Sequence, residues 1–249
     1  MLNFEQLYPN NAMLKKGILI FSSFLYFLTA NAQESRFKLG LRFAPGISST
    51  RVEDLDENDL RNFTANSSAL RFSAGLSGDF FFGRNYAFYS GLWFTVMNAN
   101  VKGVYDSLGI VKGAANSDMN IQYLQIPVAL KLFTNEIATD ARLFFTVGGT
   151  GSIAIKKAEL DFTSDVPNNT FKNPDPSDAY SILDVGLLLG AGVEYRLGEA
   201  TSVFGGLSYN RGLLNVSSKS GPLGWGNTNV TDKYNVSLGI FSLEMGVYF

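Results

Sequence analysis

The stretch FSLEMGVYF, residues 241–249, decides the fold. Phe241, Leu243, Met245, Val247 and Phe249 alternate with Ser242, Glu244, Gly246 and Tyr248. A period of two separates the two faces of a β-strand, whereas a helix would scatter the same residues around its axis. The pattern recurs upstream. Phe37, Leu39, Leu41 and Phe43 alternate with Lys38, Gly40, Arg42 and Ala44; Leu124, Ile126, Val128, Leu130 and Leu132 with Tyr123, Gln125, Ala129 and Lys131. Val185, Leu187, Leu189, Ala191 and Val193 alternate with Asp184, Gly186, Gly190, Gly192 and Glu194. A soluble lipocalin-like barrel gives the same alternation with its apolar face inside. Its outer face would carry more Lys and Glu, but here the polar face mixes glycine with charges of both signs.

Composition agrees with many aromatic-faced strands: 25 glycines, 21 phenylalanines and 11 tyrosines stand beside 7 prolines. Twenty basic and 22 acidic residues nearly cancel, so nothing draws the chain to nucleic acid. Cysteine and histidine are both absent. That removes disulfides, thiolate metal sites and the commonest general base.

Eight strands are expected at Arg36–Pro45, Leu70–Phe82, Tyr86–Met97, Asn120–Phe133, Ala141–Ile155, Ser181–Leu197, Thr201–Leu213 and Tyr234–Phe249. The connections alternate in length. Long polar ones at residues 47–69, 98–119, 156–180 and 214–233 are interleaved with short ones at 83–85, 134–140 and 198–200. An even-stranded, up-and-down transmembrane β-barrel has this plan, with long loops outside and short turns in the periplasm. Strands of ten or more residues also suit a tilted membrane crossing.

Before the first strand, Lys15 and Lys16 precede the apolar run Gly17–Leu28 and the small residues Ala30 and Ala32. Basic, apolar, then small is the order of a secretory signal peptide. Twelve helical residues would span about 18 Å, too little for a hydrocarbon core of about 30 Å. The expected division is a signal peptide over 1–32, with Met13 as the true start, and a barrel domain over 33–249.

The opening FKLGLRFAPGIS, the stretch YLQIPVALKLF at Tyr123–Phe133, the segment GLLLGAGVEYRLG and the terminal strand together resemble the PorT-like outer-membrane β-barrel domain family of Bacteroidota. The resemblance implies an eight-stranded barrel in the outer membrane of a Gram-negative cell, within the porin-family small barrels. PorT itself is a component of type IX protein secretion. No catalytic or binding residue is carried over. The terminal Phe249 also resembles the signal by which barrel-insertion machinery takes up its clients.

Little else points to chemistry. Asp54, Asp56 and Asn58 have the first spacings of a calcium loop, but Asp59 replaces its turn glycine and Ala65 its bidentate Glu. A solvated acidic loop is the expected reading. Asn62-Phe63-Thr64 and Asn168-Asn169-Thr170 reflect the Asn/Ser/Thr bias of loops, and Asp106-Ser107-Leu108 is a short match to a bacterial O-glycosylation pattern.

The polar face sets Lys38, Arg42, Arg71, Lys131, Arg142 and Arg196 against Asp79, Asp184, Glu194 and Glu244. Eight strands enclose only enough room for side chains. Tyr89, Trp93, Tyr123, Phe144, Phe204 and Tyr248 are bulky inward candidates, so a packed plug is expected rather than a channel. In a closed barrel the first strand pairs the last. Arg42 and Glu244 then sit at nearly the same height, about 3.4 Å per residue from their strand ends, and an ion pair across the seam is expected. The expected role is structural or interactive, carried by long outer loops, without enzymatic activity or cofactor. The partners are outer-membrane lipid, the insertion machinery and an envelope protein. The alternative is a transport or secretion-accessory barrel. A lipid-modifying enzyme is disfavoured, since small barrels of that kind use a histidine.

Overall fold

A computed structural model describes residues 36–54, 61–65, 68–107, 110–164, 181–216 and 234–249. The expected signal peptide, most of the acidic loop and the sequon at Asn168 lie outside the described residues. The strands are β1 (Phe37–Asp54), β2 (Arg61–Ala65), β3 (Ser68–Gly83), β4 (Tyr86–Ser107), β5 (Ile110–Phe133), β6 (Ala141–Ser164), β7 (Leu183–Arg196), β8 (Ser202–Gly212) and β9 (Tyr234–Tyr248). Around the ring β4, β3, β1, β9, β8, β7, β6 and β5 pair in turn, and β4 pairs β5 to close an eight-stranded antiparallel barrel. The short β2 pairs β4 beyond the end of its β3 ladder, from Arg61↔Tyr105 to Ala65↔Val101.

The barrel is inside out relative to a soluble one. Phe241, Leu243, Met245 and Phe249 face outward and are 43–61% exposed, while Ser242, Glu244 and Tyr248 between them are buried. The lipid band therefore uses the apolar half of every strand. At the end carrying Phe249 and the short turns, Phe82, Tyr86 and Tyr195 stand exposed, and the rings of Phe82 and Tyr86 stack at 6.2 Å. Aromatic residues at such a boundary match the girdle of a membrane barrel.

Glycines on the inner wall make room for rings. Phe144 lies opposite Gly192, Phe204 opposite Gly246 and Tyr248 opposite Gly40. A Cβ on Gly192 would stand 2.5 Å from Phe144 Cζ, and one on Gly40 2.6 Å from Tyr248 Cδ1. Each ring thus lies over the bare backbone of the neighbouring strand. Gly192→Val is expected to destabilise the barrel by about 1–3 kcal/mol through overpacking. The lipid-facing Gly151, with nothing near its Cβ position, is the control, and Gly151→Val should stay within about 0.5 kcal/mol. Urea unfolding of both variants measures the difference, and equal losses would contradict the ring-over-glycine account.

Two expectations need correction. Residues 98–119 are not a loop: β4 and β5 pair from Asn98↔Asn120 to Ser107↔Ile110, with one irregularity between Tyr105 and Asp106. Likewise β1 runs to Asp54 and β6 to Ser164, and Arg61–Ala65 is a strand. The wall therefore stands well above the band at the loop end. The polar residues of these segments extend because their backbone groups find ladder partners, which outweighs weak strand propensity.

β3 pairs β1 as far as Ser68 but pairs β4 only as far as Ser73↔Thr95. Beyond that point β4 leans onto the inner face of β1. The backbone N–H groups of Asn98 and Asn100 donate to Ser48 Oγ (3.0 Å) and Thr50 Oγ1 (2.9 Å). Those hydroxyls supply partners that the missing ladder cannot. Above the contact an apolar cluster that includes Met97, Val101, Met119, Ile121, Val236 and Leu238 fills the loop end of the lumen.

Candidate functional site

The lumen carries the buried charge of the described residues, arranged in layers from the turn end upward. In the lowest, Glu194 accepts from Lys38 Nζ across the barrel at 2.6 Å, from Arg142 Nη2 at 3.1 Å and from Ser202 Oγ at 2.9 Å. The Arg142 guanidinium also lies 3.8 Å from the Phe133 ring centroid. One carboxylate between two cations is the arrangement a buried charge requires.

Next comes Lys131. Its ammonium donates to Asp79 Oδ2 and to Tyr248 OH, both at 3.0 Å. The rings of Tyr89, Phe133, Phe144, Phe204 and Tyr248 surround it with centroids 4.4–5.4 Å away. The Lys131 and Asp79 side chains are 2% and 0% exposed. Cation–π attraction supplements the ion pair where water does not.

Above it, Arg42 Nε donates to Glu244 Oε2 at 3.0 Å. Arg42 Nη1 reaches Ser73 Oγ at 3.1 Å and Nη2 reaches Ser208 Oγ at 3.2 Å, with the guanidinium carbon 4.1 Å from the Trp93 ring centroid. The structure thus brings Arg42 and Glu244 together across the β1–β9 seam. Their heights differ slightly from expectation: Arg42 pairs Gly246 in register, so Glu244 lies diagonally one step farther on.

A neutral layer follows. Thr95 Oγ1 donates to Gln125 Oε1 at 2.7 Å, Gln125 Nε2 donates to Ser152 Oγ at 2.9 Å and Thr150 Oγ1 donates to Asn210 Oδ1 at 3.0 Å. At the β3–β4 split, Arg71 donates to the side-chain oxygens of Asn98 and Asn120. Asp184 is buried among uncharged groups near the loop end, with Oδ1 unpartnered among the described residues.

The other inward candidates, Tyr89, Trp93, Tyr123, Phe144, Phe204 and Tyr248, are all buried. Arg196 is the exception among the expected lumen charges. Its side chain is 54% exposed and lies 3.9 Å from Glu136 at the turn-end rim, because a strand's last residue can swing its long side chain into water. Sequence reasoning named Lys131 and four of its five rings, missing Phe133, and did not join them. The neutral Thr95–Gln125 layer was missed, and its signal was a set of uncharged polar residues on inward positions of neighbouring strands.

Between the Lys131 and Arg42 layers the residual void is about 10 Å³, bordered by Trp93, Lys131, Phe204 and Glu244 among others. That is room for about one water. Asp79, Glu194 and Glu244 are paired with Lys38, Arg42, Lys131 and Arg142, and among the described residues no group of acidic residues is disposed to hold a metal ion.

An apolar band outside and a paired, packed polar interior define a small membrane-spanning β-barrel. The chain belongs to the outer membrane protein β-barrel domain family, whose profile matches residues 31–218, and it resides in the outer membrane. No curated protein matches it. Among solved structures it is similar to the outer membrane protein OprG of Pseudomonas aeruginosa, at 12% identity, covering 85% of this chain and 95% of that one, with a TM-score of 0.48. Neisserial surface protein A matches at 13% identity, 86% and 98% coverage and a TM-score of 0.39. The outer membrane protease OmpT of Escherichia coli matches at 10%, 89% and 99%, with 0.49.

Proposed function

We propose that this protein is a non-conducting, non-enzymatic outer-membrane anchor that presents its tall loop-end wall to an envelope or external partner. The packed lumen is the observation that supports this reading: three ion-paired layers and an apolar cap lie in series along the barrel axis. A solute would have to break each buried pair to pass. The wall supplies the presenting surface, since β4, β5 and β6 extend well beyond the lipid band. The PorT-like resemblance of YLQIPVALKLF supports a related role, as an accessory subunit of a secretion machine, which equally needs no open pore.

Planar bilayers containing purified barrel are expected to show no steady channel, only rare small events. A stable conductance of porin size would overturn the anchor reading and promote transport. Orientation is separately testable, because the chain has no native cysteine. Asn116→Cys on the β5 wall should react with a membrane-impermeant thiol reagent in whole cells, and Glu199→Cys in the β7–β8 turn should not. The reverse labelling would invert the barrel.

A further inference from the structure

On the outward-facing side of β1, β9 and β8, near the loop end of the apolar band, two arginines flank β9. Arg51 pairs Ser237 and Arg211 pairs Gly239, so the two project from strands on either side of β9. Neighbouring strands are about 4.8 Å apart, which sets β1 and β8 on the order of 10 Å from one another. Both guanidiniums can then reach one group seated over Ser237, which is partly exposed, whereas Gly239 is buried. Neither arginine has an ion-pair or hydrogen-bond partner among the described residues. Together they line a groove of about 390 Å³ whose walls include Leu187, Leu213 and Leu214. Ser49 Oγ and Tyr209 OH lie 3.6 and 3.9 Å from the Cβ position of Gly239 and help to cover it, so on β9 the groove ends at Ser237.

The height of this groove identifies its occupant. Gly239 lies ten residues up β9 from Phe249. At about 3.4 Å per residue and a tilt of about 40°, that is about 26 Å, the thickness of the apolar band of a membrane barrel. The arginines therefore stand at the level of lipid headgroups, with Phe241 directly below among the acyl chains. Unpaired guanidinium forks match phosphate oxygens bidentately. Glu53, on the same face of β1, lies two residues farther from the membrane and opposite Asn235. It repels an anion that rises out of the headgroup layer, so the favourable seat is between Arg51 and Arg211.

We infer that Arg51 and Arg211 form a binding site for a phosphorylated glycolipid of the surrounding leaflet, with the phosphate over Ser237 and an acyl chain against Leu187 and Phe241.

The test uses the purified full barrel in detergent, with lipid retention read by native mass spectrometry. The probes are bisphosphorylated lipid A, the same lipid without phosphates, phosphatidylglycerol and inorganic phosphate. The wild-type barrel should retain the phosphorylated form about tenfold better than its dephosphorylated counterpart, the scale of one charge-assisted contact. The double variant Arg51→Gln/Arg211→Gln should lose that preference, and Arg51→Lys/Arg211→Lys should keep part of it. Both face lipid, and an unchanged urea midpoint checks that the variants fold. Equal retention of the two lipid A forms by wild type, or an undiminished preference in the glutamine variant, would overturn the site. So would equal retention of phosphatidylglycerol, which indicates a general anionic annulus, or displacement by inorganic phosphate at equal concentration, which indicates a free-anion site.

Discussion

Lys131→Met should cost the folded barrel about 3–5 kcal/mol, the range for removing one partner of a buried ion pair. Methionine nearly conserves the length and volume of lysine, so the surrounding rings keep their contacts and what disappears is charge. Asp79 would then be left with a side chain 0% exposed and with Oδ1 already unpartnered. Tyr248 OH would lose its hydrogen-bond donor as well. The second half of the expectation separates pairing from packing. In Lys131→Met/Asp79→Leu no uncompensated charge remains, and replacement of a buried pair by apolar groups of similar volume is often neutral or stabilising. Most of the loss should therefore be recovered in the double variant. Urea unfolding in lipid vesicles measures this, provided the slope with denaturant stays constant between variants. A single-variant loss of only about 1 kcal/mol or less would be the behaviour of an exposed pair, and would show that water enters the lumen.

The inside of the barrel was legible in the sequence to the extent that it depends on parity. A period of two assigns Glu244, Arg42 and Lys131 to one face without reference to any other strand, and all three are buried in the lumen. What parity does not carry is the stagger between strands. Lys131 meets Tyr248 across the lumen, from β5 to β9, and which ring faces which ammonium depends on the shear of the whole closed sheet. The loop-end wall was illegible for a different reason. Asn98, Asn100, Asn116 and Asp118 are turn-forming residue types, and they extend here because the partner strand satisfies their backbone, as in Asn98↔Asn120 and Lys102↔Asn116. The turns at Arg84–Asn85 and Gly198–Ala200 were legible, since short polar breaks between long apolar alternations leave little choice of connection. At the strand end, Arg196 has inward parity but no wall above it to keep its side chain inside.

The seam pair of Arg42 and Glu244 gives the second large effect, and its asymmetry is the informative part. Arg42→Met leaves Glu244, only 6% exposed, without its cation, and the loss should again fall at about 3–5 kcal/mol. Glu244→Gln is milder. The amide oxygen can still accept from Arg42 Nε, and the guanidinium keeps Ser73 Oγ, Ser208 Oγ and the face of Trp93. That loss should be about 1.5–3 kcal/mol, the worth of a hydrogen bond to a charged group. In the double variant the glutamine faces methionine, no buried charge is stranded, and the combined loss should be smaller than the sum by about 0.5–3 kcal/mol. The position of the pair gives this coupling a structural meaning. β1 and β9 are the first and last strands of the ring, so their ladder joins the two ends of the sheet. A slip of one residue there would turn Arg42 or Glu244 towards lipid, since each step exchanges the faces. Arginine at mid-membrane on a lipid face of a barrel costs about 2–4 kcal/mol, which adds to the loss of the pair and penalises the slipped register. Strictly additive losses in the urea cycle would mean that the two side chains do not sense one another, and that the seam is held by its backbone ladder alone.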